Sequence, residues 1–182
     1  DIKPCRAGGT GVMSALKQQP DAFPWRMEFG TVNTMGVSGL LAAQNWISER
    51  GGVETIFDHE MCHARRLHEG LSAIDGVRLY CADLERDHLP VFVFNIDGLP
   101  ADQVGTFLDV EHDVITRTGL HCAPLVHEGI GTFDDGGTVR FSPGVFTNDE
   151  DVEHAIGAVA ETAKYARSKL GTSRPSTVVA HV

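Results

Sequence analysis

Arg117-Thr118-Gly119-Leu120-His121-Cys122-Ala123-Pro124-Leu125 sets a cysteine in a loop bounded by Gly119 and Pro124. The run Val114 to Arg117 upstream and the run Thr138 to Ser142 downstream both read as β-strands, so the loop joins two strands. The segment between them, Gly119 to Thr132, reads as loop with room for one turn of helix. A thiolate is the nucleophilic form of cysteine and positive neighbours favour it; His121 adjoins Cys122, and Arg117 precedes it in the same loop. A lone loop cysteine is more often inert than reactive, so the surroundings decide. In the second strand, Thr138-Val139-Arg140-Phe141-Ser142-Pro143, Arg140 stands between two apolar residues. An arginine so placed at a cleft rim suits a two-pronged grip on a carboxylate, and an ordinary surface arginine fits the same pattern.

Working outward, apolar residues recur with helical period from about Met35 to Arg50, through Val37, Leu40, Leu41 and Ile47, ending at Gly51-Gly52. A second helix is expected from about Val53 to Ile74, where Val53, Ile56, Phe57, Met61, Ala64, Leu67, Leu71 and Ile74 form one stripe before Gly76. Val77 to Cys81 and Pro90 to Ile96 are β-rich runs separated by the charged loop Asp83 to His88. A short helix from about Ala101 to Glu111 precedes the strand at Val114. Near the end of the chain, Thr147-Asn148-Asp149-Glu150 fits a capping box. Val152, Ile156, Val159, Ala163 and Ala166 then carry a long helix. The first 35 residues are rich in Gly and Pro and read as loops. The order of elements predicts an α+β fold with helices on one face of a mainly antiparallel sheet.

The 182 residues carry 15 Lys+Arg against 25 Asp+Glu, a formal charge of −10, and are 42% hydrophobic. That composition supports a globular core. The acidic balance argues against nucleic-acid or membrane-surface binding, and no apolar run is long enough to span a bilayer. The four cysteines, Cys5, Cys62, Cys81 and Cys122, form no CxxC pair, which fits reduced thiols and a cytoplasmic location. The chain opens at Asp1 on a stretch that reads as the middle of a longer sequence.

His59-Glu60-Met61-Cys62-His63 matches HExxH on an expected helix, where two histidines chelate zinc and the glutamate acts as base. No third ligand follows at the spacing of the common zincin classes, since His68 comes only five residues later. The helical wheel puts His59 and His63 at the edge of the apolar stripe, towards solvent, and Glu60 on the apolar side. No metal site is expected.

Four segments in order resemble one family. They are Gly8-Gly-Thr-Gly11, Glu28-Phe-Gly-Thr-Val-Asn33, Thr116-Arg-Thr-Gly-Leu-His-Cys-Ala-Pro-Leu125, and Gly137-Thr-Val-Arg-Phe-Ser-Pro-Gly144 running on to Thr147-Asn-Asp-Glu-Asp-Val152. They are similar to the C-terminal part of class V aminotransferase-fold enzymes, in particular the cysteine desulfurase and selenocysteine lyase type. The resemblance runs from about Lys3 to Ala166. It implies the small C-terminal domain of a fold type I enzyme dependent on pyridoxal 5'-phosphate, with residues 1–52 a remnant of the large domain and 53–170 the small domain. Beyond them, the composition of 171–182, with Gly171, Ser173, Pro175 and Ser176, reads as a disordered tail.

By that resemblance Cys122 is the catalytic residue that accepts sulfur from cysteine as a persulfide, and Arg140 binds the substrate carboxylate. Arg117 and His121 belong to the same substrate-binding loop, and Thr31 reaches the cofactor phosphate of the partner subunit in a homodimer. The implied partners are a small amino-acid substrate and a sulfur-acceptor protein. In the family the cofactor-bearing lysine precedes the Gly-Gly-Thr-Gly segment. Lys3, Lys17, Lys164 and Lys169 do not stand in that context, so the chain by itself is expected to be inactive. An aminotransferase or selenocysteine lyase of the same fold, and a non-catalytic dimerisation or binding remnant, are the alternative readings.

Overall fold

The structure, a computed structural model, describes residues 3–4, 8–80, 84 and 88–172. It divides into two compact units, Asp1–Gly52 and Val53–Val182. The first unit consists of loops with one 3-10 turn at Trp25–Met27, followed by helix α1, Thr34–Glu49. The Asn33 side chain caps α1 by accepting the Gly36 N–H at 2.9 Å. None of the α1 residues is buried, so its apolar positions Val37, Leu40 and Leu41 remain exposed.

The second unit runs α2 (Gly52–Ser72), β1 (Val77–Leu79), β2 (Phe92–Ile96), α3 (Ala101–His112), β3 (Arg117–Gly119), α4 (Pro124–Ile130), β4 (Thr138–Phe141) and α5 (Asp149–Thr172). The four strands form one antiparallel sheet in the order β1-β2-β4-β3. Strand register sorts the side chains onto two faces. Phe92 lies opposite Phe141, and Phe94 opposite Val139, on one face. That face packs against Leu67 and Leu71 of α2, Val104 and Leu108 of α3, and Val152, Val159, Ala163 and Ala166 of α5. Phe92 and Phe94 are fully buried there. Each such side chain contributes about 1.5–3 kcal/mol relative to leaving it in water. Close approach of α3 to β3 depends on Gly105, where a Cβ would come within 2.4 Å of Thr118 Cγ2. The expected α+β sandwich, with helices on one face of an antiparallel sheet, is the fold observed.

The other face is polar. Val93 opposite Arg140 and Arg140 opposite Arg117 place both arginines on it, with Thr138 and Asn95 two residues along their strands. The sequence pattern alone misplaces several boundaries. The third strand begins at Arg117 rather than Val114, because Asp113 turns left-handed at φ 54° and the Val114 N–H returns to Leu108 O, closing α3. The segment after Cys122 holds two turns of helix, not one: Pro124 starts α4 at its first position and Gly131 ends it at φ 73°.

The capping box is centred on Asn148 rather than Thr147. The Asn148 N–H donates to Asp151 Oδ2 at 2.9 Å, and the Asp151 N–H donates to Asn148 Oδ1 at 3.0 Å. Thr147 instead accepts the Gly144 N–H. Helix α5 continues through Gly171 to Thr172 where a tail was expected, and residues 173–182 lie outside the described residues. Cys5, Cys81 and most of the charged loop before His88 also lie outside them.

The α2 stripe is buried from Met61 onward, whereas Val53 and Phe57 are exposed. His63 does not point to solvent: it is 6% exposed. It is drawn inward because its Nδ1 bonds His59 O at 2.8 Å, while His59 Nε2 bonds Thr147 O at 3.0 Å, turning both rings towards the start of α5. Arg66 of α2 pairs there with Asp149 and Glu153. Glu60 is only half-buried, so water reaches it. Among the described residues no group of three or more His, Cys, Asp or Glu could hold a metal ion, and no helix is long and apolar enough to cross a membrane.

Candidate active site

The polar face of the sheet gathers the loop residues. From the last residue of β3 onward the chain takes positive φ at Gly119 (φ 98°), His121 (φ 52°) and Cys122 (φ 59°) before Pro124 starts α4. Two successive non-glycine residues in this region cost about 1–2 kcal/mol each, so packing must hold them. The turn is closed by the Ala123 N–H donating to Leu120 O at 2.8 Å. Cys122 is thereby exposed, and the Arg117 guanidinium donates to its Sγ at 3.2 Å. Arg117 and Arg140 are direct register partners, so both side chains leave the same face of the β3–β4 pair.

His121 turns the other way. Its Nε2 lies 3.1 Å from Thr138 Oγ1, and its ring centroid is 5.5 Å from that of His127. Burial, then the charge of Arg140 and then His127, hold the His121 imidazole below its ordinary range; the hydrogen bond to Thr138 acts in the opposite direction. A neutral His121 adds no third positive charge beside the two arginines. Its Nδ1 is buried without a hydrogen-bond partner among the described residues.

The start of β4 is fixed by backbone proximity. At Gly137, with φ 99°, a Cβ would stand 2.2 Å from the carbonyl carbon and oxygen of Gly119. Asn95, buried on the polar face of β2, donates through Nδ2 to Gly137 O at 3.1 Å. Sequence reasoning did not single out Asn95, Thr138, His127 or Thr132. For Thr138 the signal was available, since alternation along β4 puts it on the same face as Arg140.

Cys122, Arg117, Arg140 and His121 are thus brought together in the second unit. Thr31 belongs to the first, where it lines a hollow with Gly8, Gly9, Thr10, Gly11, Ser14 and Lys17. The Gly30 N–H donates to Gly9 O at 2.7 Å, bringing these two segments side by side. The hydroxyls of Thr10, Ser14 and Thr31, with the Lys17 ammonium, are donor chemistry that a phosphate group accepts.

The aminotransferase class-V family profile matches residues 1–154. The chain belongs to the class-V aminotransferase family. A probable cysteine desulfurase of Pyrococcus abyssi is 34% identical over 145 residues, covering 80% of this chain and 35% of the relative. One of Methanothermobacter thermautotrophicus is 29% identical over 155 residues, covering 84% of this chain and 38% of the relative. The apo structure of cysteine desulfurase from Thermococcus onnurineus is 33% identical and superimposes with a TM-score of 0.74, over 90% of this chain and 40% of that one. This family chain therefore spans less than two-fifths of the length of those curated relatives.

Proposed function

We propose that this chain is the C-terminal portion of a cysteine desulfurase that converts L-cysteine to L-alanine and carries the sulfur as a persulfide on Cys122. The observation that carries the reading is the Arg117 guanidinium on Cys122 Sγ at 3.2 Å, with Arg140 as its register partner. Arg140 grips the substrate carboxylate, which orients cysteine with its sulfur towards the loop. Arg117 steadies the Cys122 thiolate. That thiolate attacks the substrate sulfur: an S–S bond forms, the C–S bond breaks, and its electron pair remains on the carbon, which takes a proton to become alanine. Thr31 and its neighbouring hydroxyls would hold part of the pyridoxal 5'-phosphate, which would supply the electron sink for this chemistry.

The reading extends to a homodimer in the cytoplasm, with Thr31 serving the partner subunit's cofactor, and to a sulfur-acceptor protein that discharges Cys122. Lys3, Lys17, Lys164 and Lys169 do not stand in the context of the family's cofactor-bearing lysine, so on this reading the chain alone is inactive. The test is made in the full-length protein. L-cysteine should leave a persulfide on Cys122, trapped by alkylation and located by mass spectrometry. Cys122→Ala should cut alanine and sulfide formation by orders of magnitude while cofactor binding persists. Near-normal desulfuration by Cys122→Ala would overturn the proposal, and efficient transamination would put an aminotransferase in its place. Activity retained on selenocysteine alone would indicate the lyase branch.

A further inference from the structure

His127 and Thr132 take no part in the chemistry above, yet both are buried, at 2% and 0% exposure. His127 Nδ1 and Thr132 Oγ1 are 2.7 Å apart. The pair ties three segments together. The Thr132 N–H donates to His127 O at 2.9 Å, closing the end of α4. The Gly137 N–H donates to Thr132 O at 2.9 Å, anchoring the start of β4. The His127 ring meets the His121 ring, 5.5 Å between centroids and tilted by 41°. A buried imidazole and hydroxyl cost stability unless they satisfy each other, and an apolar pair would fill the same space without that demand.

What the arrangement accomplishes lies one residue further on. His121 and Cys122 are the two adjacent non-glycine residues held at positive φ, and such a conformation persists only where the surroundings over-determine it. His121 is fixed from two sides, by Thr138 Oγ1 and by the His127 ring. We infer that His127 and Thr132 are a positioning pair: they clamp the His121 ring and thereby hold the left-handed His121-Cys122 turn that presents the Cys122 thiol to Arg117. The inference rests on the reading of Cys122 as the sulfur acceptor, and it assigns neither residue a contact with substrate.

The test uses this chain and measures the thiol directly. Iodoacetamide alkylation is followed peptide by peptide, so that exposed Cys62 serves as the internal control, and the imidazole of His121 is followed through its ring nitrogen resonances. Thr132→Val should lower the alkylation rate of Cys122 about threefold or more, in the direction of Arg117→Gln, with Cys62 unchanged. The His121 resonances should move in the same variant, and Thr132→Ser should restore both. His127→Phe leaves an aromatic ring facing His121 and removes the bond to Thr132, and its Cys122 alkylation rate decides the matter should Thr132→Val fail to fold. A Cys122 rate and His121 resonances that stay at wild-type values in the folded variant would overturn the inference. A bystander Cys122 in turnover would leave this result intact, so the two proposals fail separately.

Discussion

Arg117 of β3 and Arg140 of β4 stand directly opposite one another in the sheet, on its polar face. Like charges at opposed positions destabilise a strand pair, and a carboxylate between them converts the cost into a gain. The pairing therefore makes two opposite predictions for one substitution. Arg140→Gln should stabilise this chain by about 0.2–1 kcal/mol, read as a higher denaturant midpoint at unchanged slope. In the full-length protein Arg140→Ala should weaken amino-acid substrate binding by about 2–4 kcal/mol, as a desolvated carboxylate loses its charged partner. A loss of stability in the first measurement would mean that Arg140 serves the fold.

His121 predicts a pH effect with a definite sign. Its folded-state value is lowered, by burial first and then by Arg140 and His127. Above the unfolded value neither state binds the proton and His121 contributes no slope. As pH falls below that value, the unfolded chain takes up a proton that the folded chain refuses, so stability drops until the lowered folded value is passed. His121→Gln should therefore lose less melting temperature than wild type between about pH 7 and pH 5. Parallel curves for the two proteins would show that His121 titrates as it does in the unfolded chain.

The layout of the second unit was legible because its elements obey simple periods. The alternation around Val139, Arg140 and Phe141 separates a core face from a site face, and the stripe from Met61 to Leu71 marks the buried side of α2. The resemblance in the loop picked out Cys122, that in β4 picked out Arg140, and the geometry adds the contact of Arg117 with the thiol. The supporting residues were not legible, for physical reasons. His127 and Thr132 are polar residues whose burial depends on each other across a glycine turn, a relation with no sequence period. Asn95 reads as an ordinary strand polar residue until Gly137 O is seen in front of it. His63 was assigned to solvent because a wheel shows one helix, whereas its burial is set by the start of another.

The HExxH histidines predict the outcome of metal removal. His59 Nε2 is engaged by Thr147 O and His63 Nδ1 by His59 O, while His63 Nε2 faces Asp149 at 3.4 Å. These contacts bind α2 to the start of α5 and leave no converging set of three ligands among the described residues. The purified protein should hold no stoichiometric zinc, and a chelator should leave its melting temperature unchanged. His63→Ala should cost about 1–3 kcal/mol through the lost packing and bonds of a buried ring. One tightly held zinc per chain, released by His59→Ala, would reverse this assignment.

Gly137 carries the strongest structural prediction. Its φ of 99° disfavours any L side chain, and a Cβ there would stand 2.2 Å from the backbone of Gly119, which cannot yield as a flexible side chain would. Relief requires β4 to slide or part from β3 at the point where Thr138 meets Gly119, and Thr138 is the residue that bonds His121. The same shift withdraws Gly137 O from Asn95 and Gly137 N from Thr132. Gly137→Ala should therefore destabilise the chain by about 2–4 kcal/mol, within the range of backbone strain combined with a broken buried network. Asn95→Ala removes only one of those bonds and should cost about 1–3 kcal/mol, the penalty of leaving the carbonyl unpaired. The two losses share a partner, so the double variant should lose less than the sum. Full additivity in denaturant unfolding would show that Asn95 and Gly137 act independently.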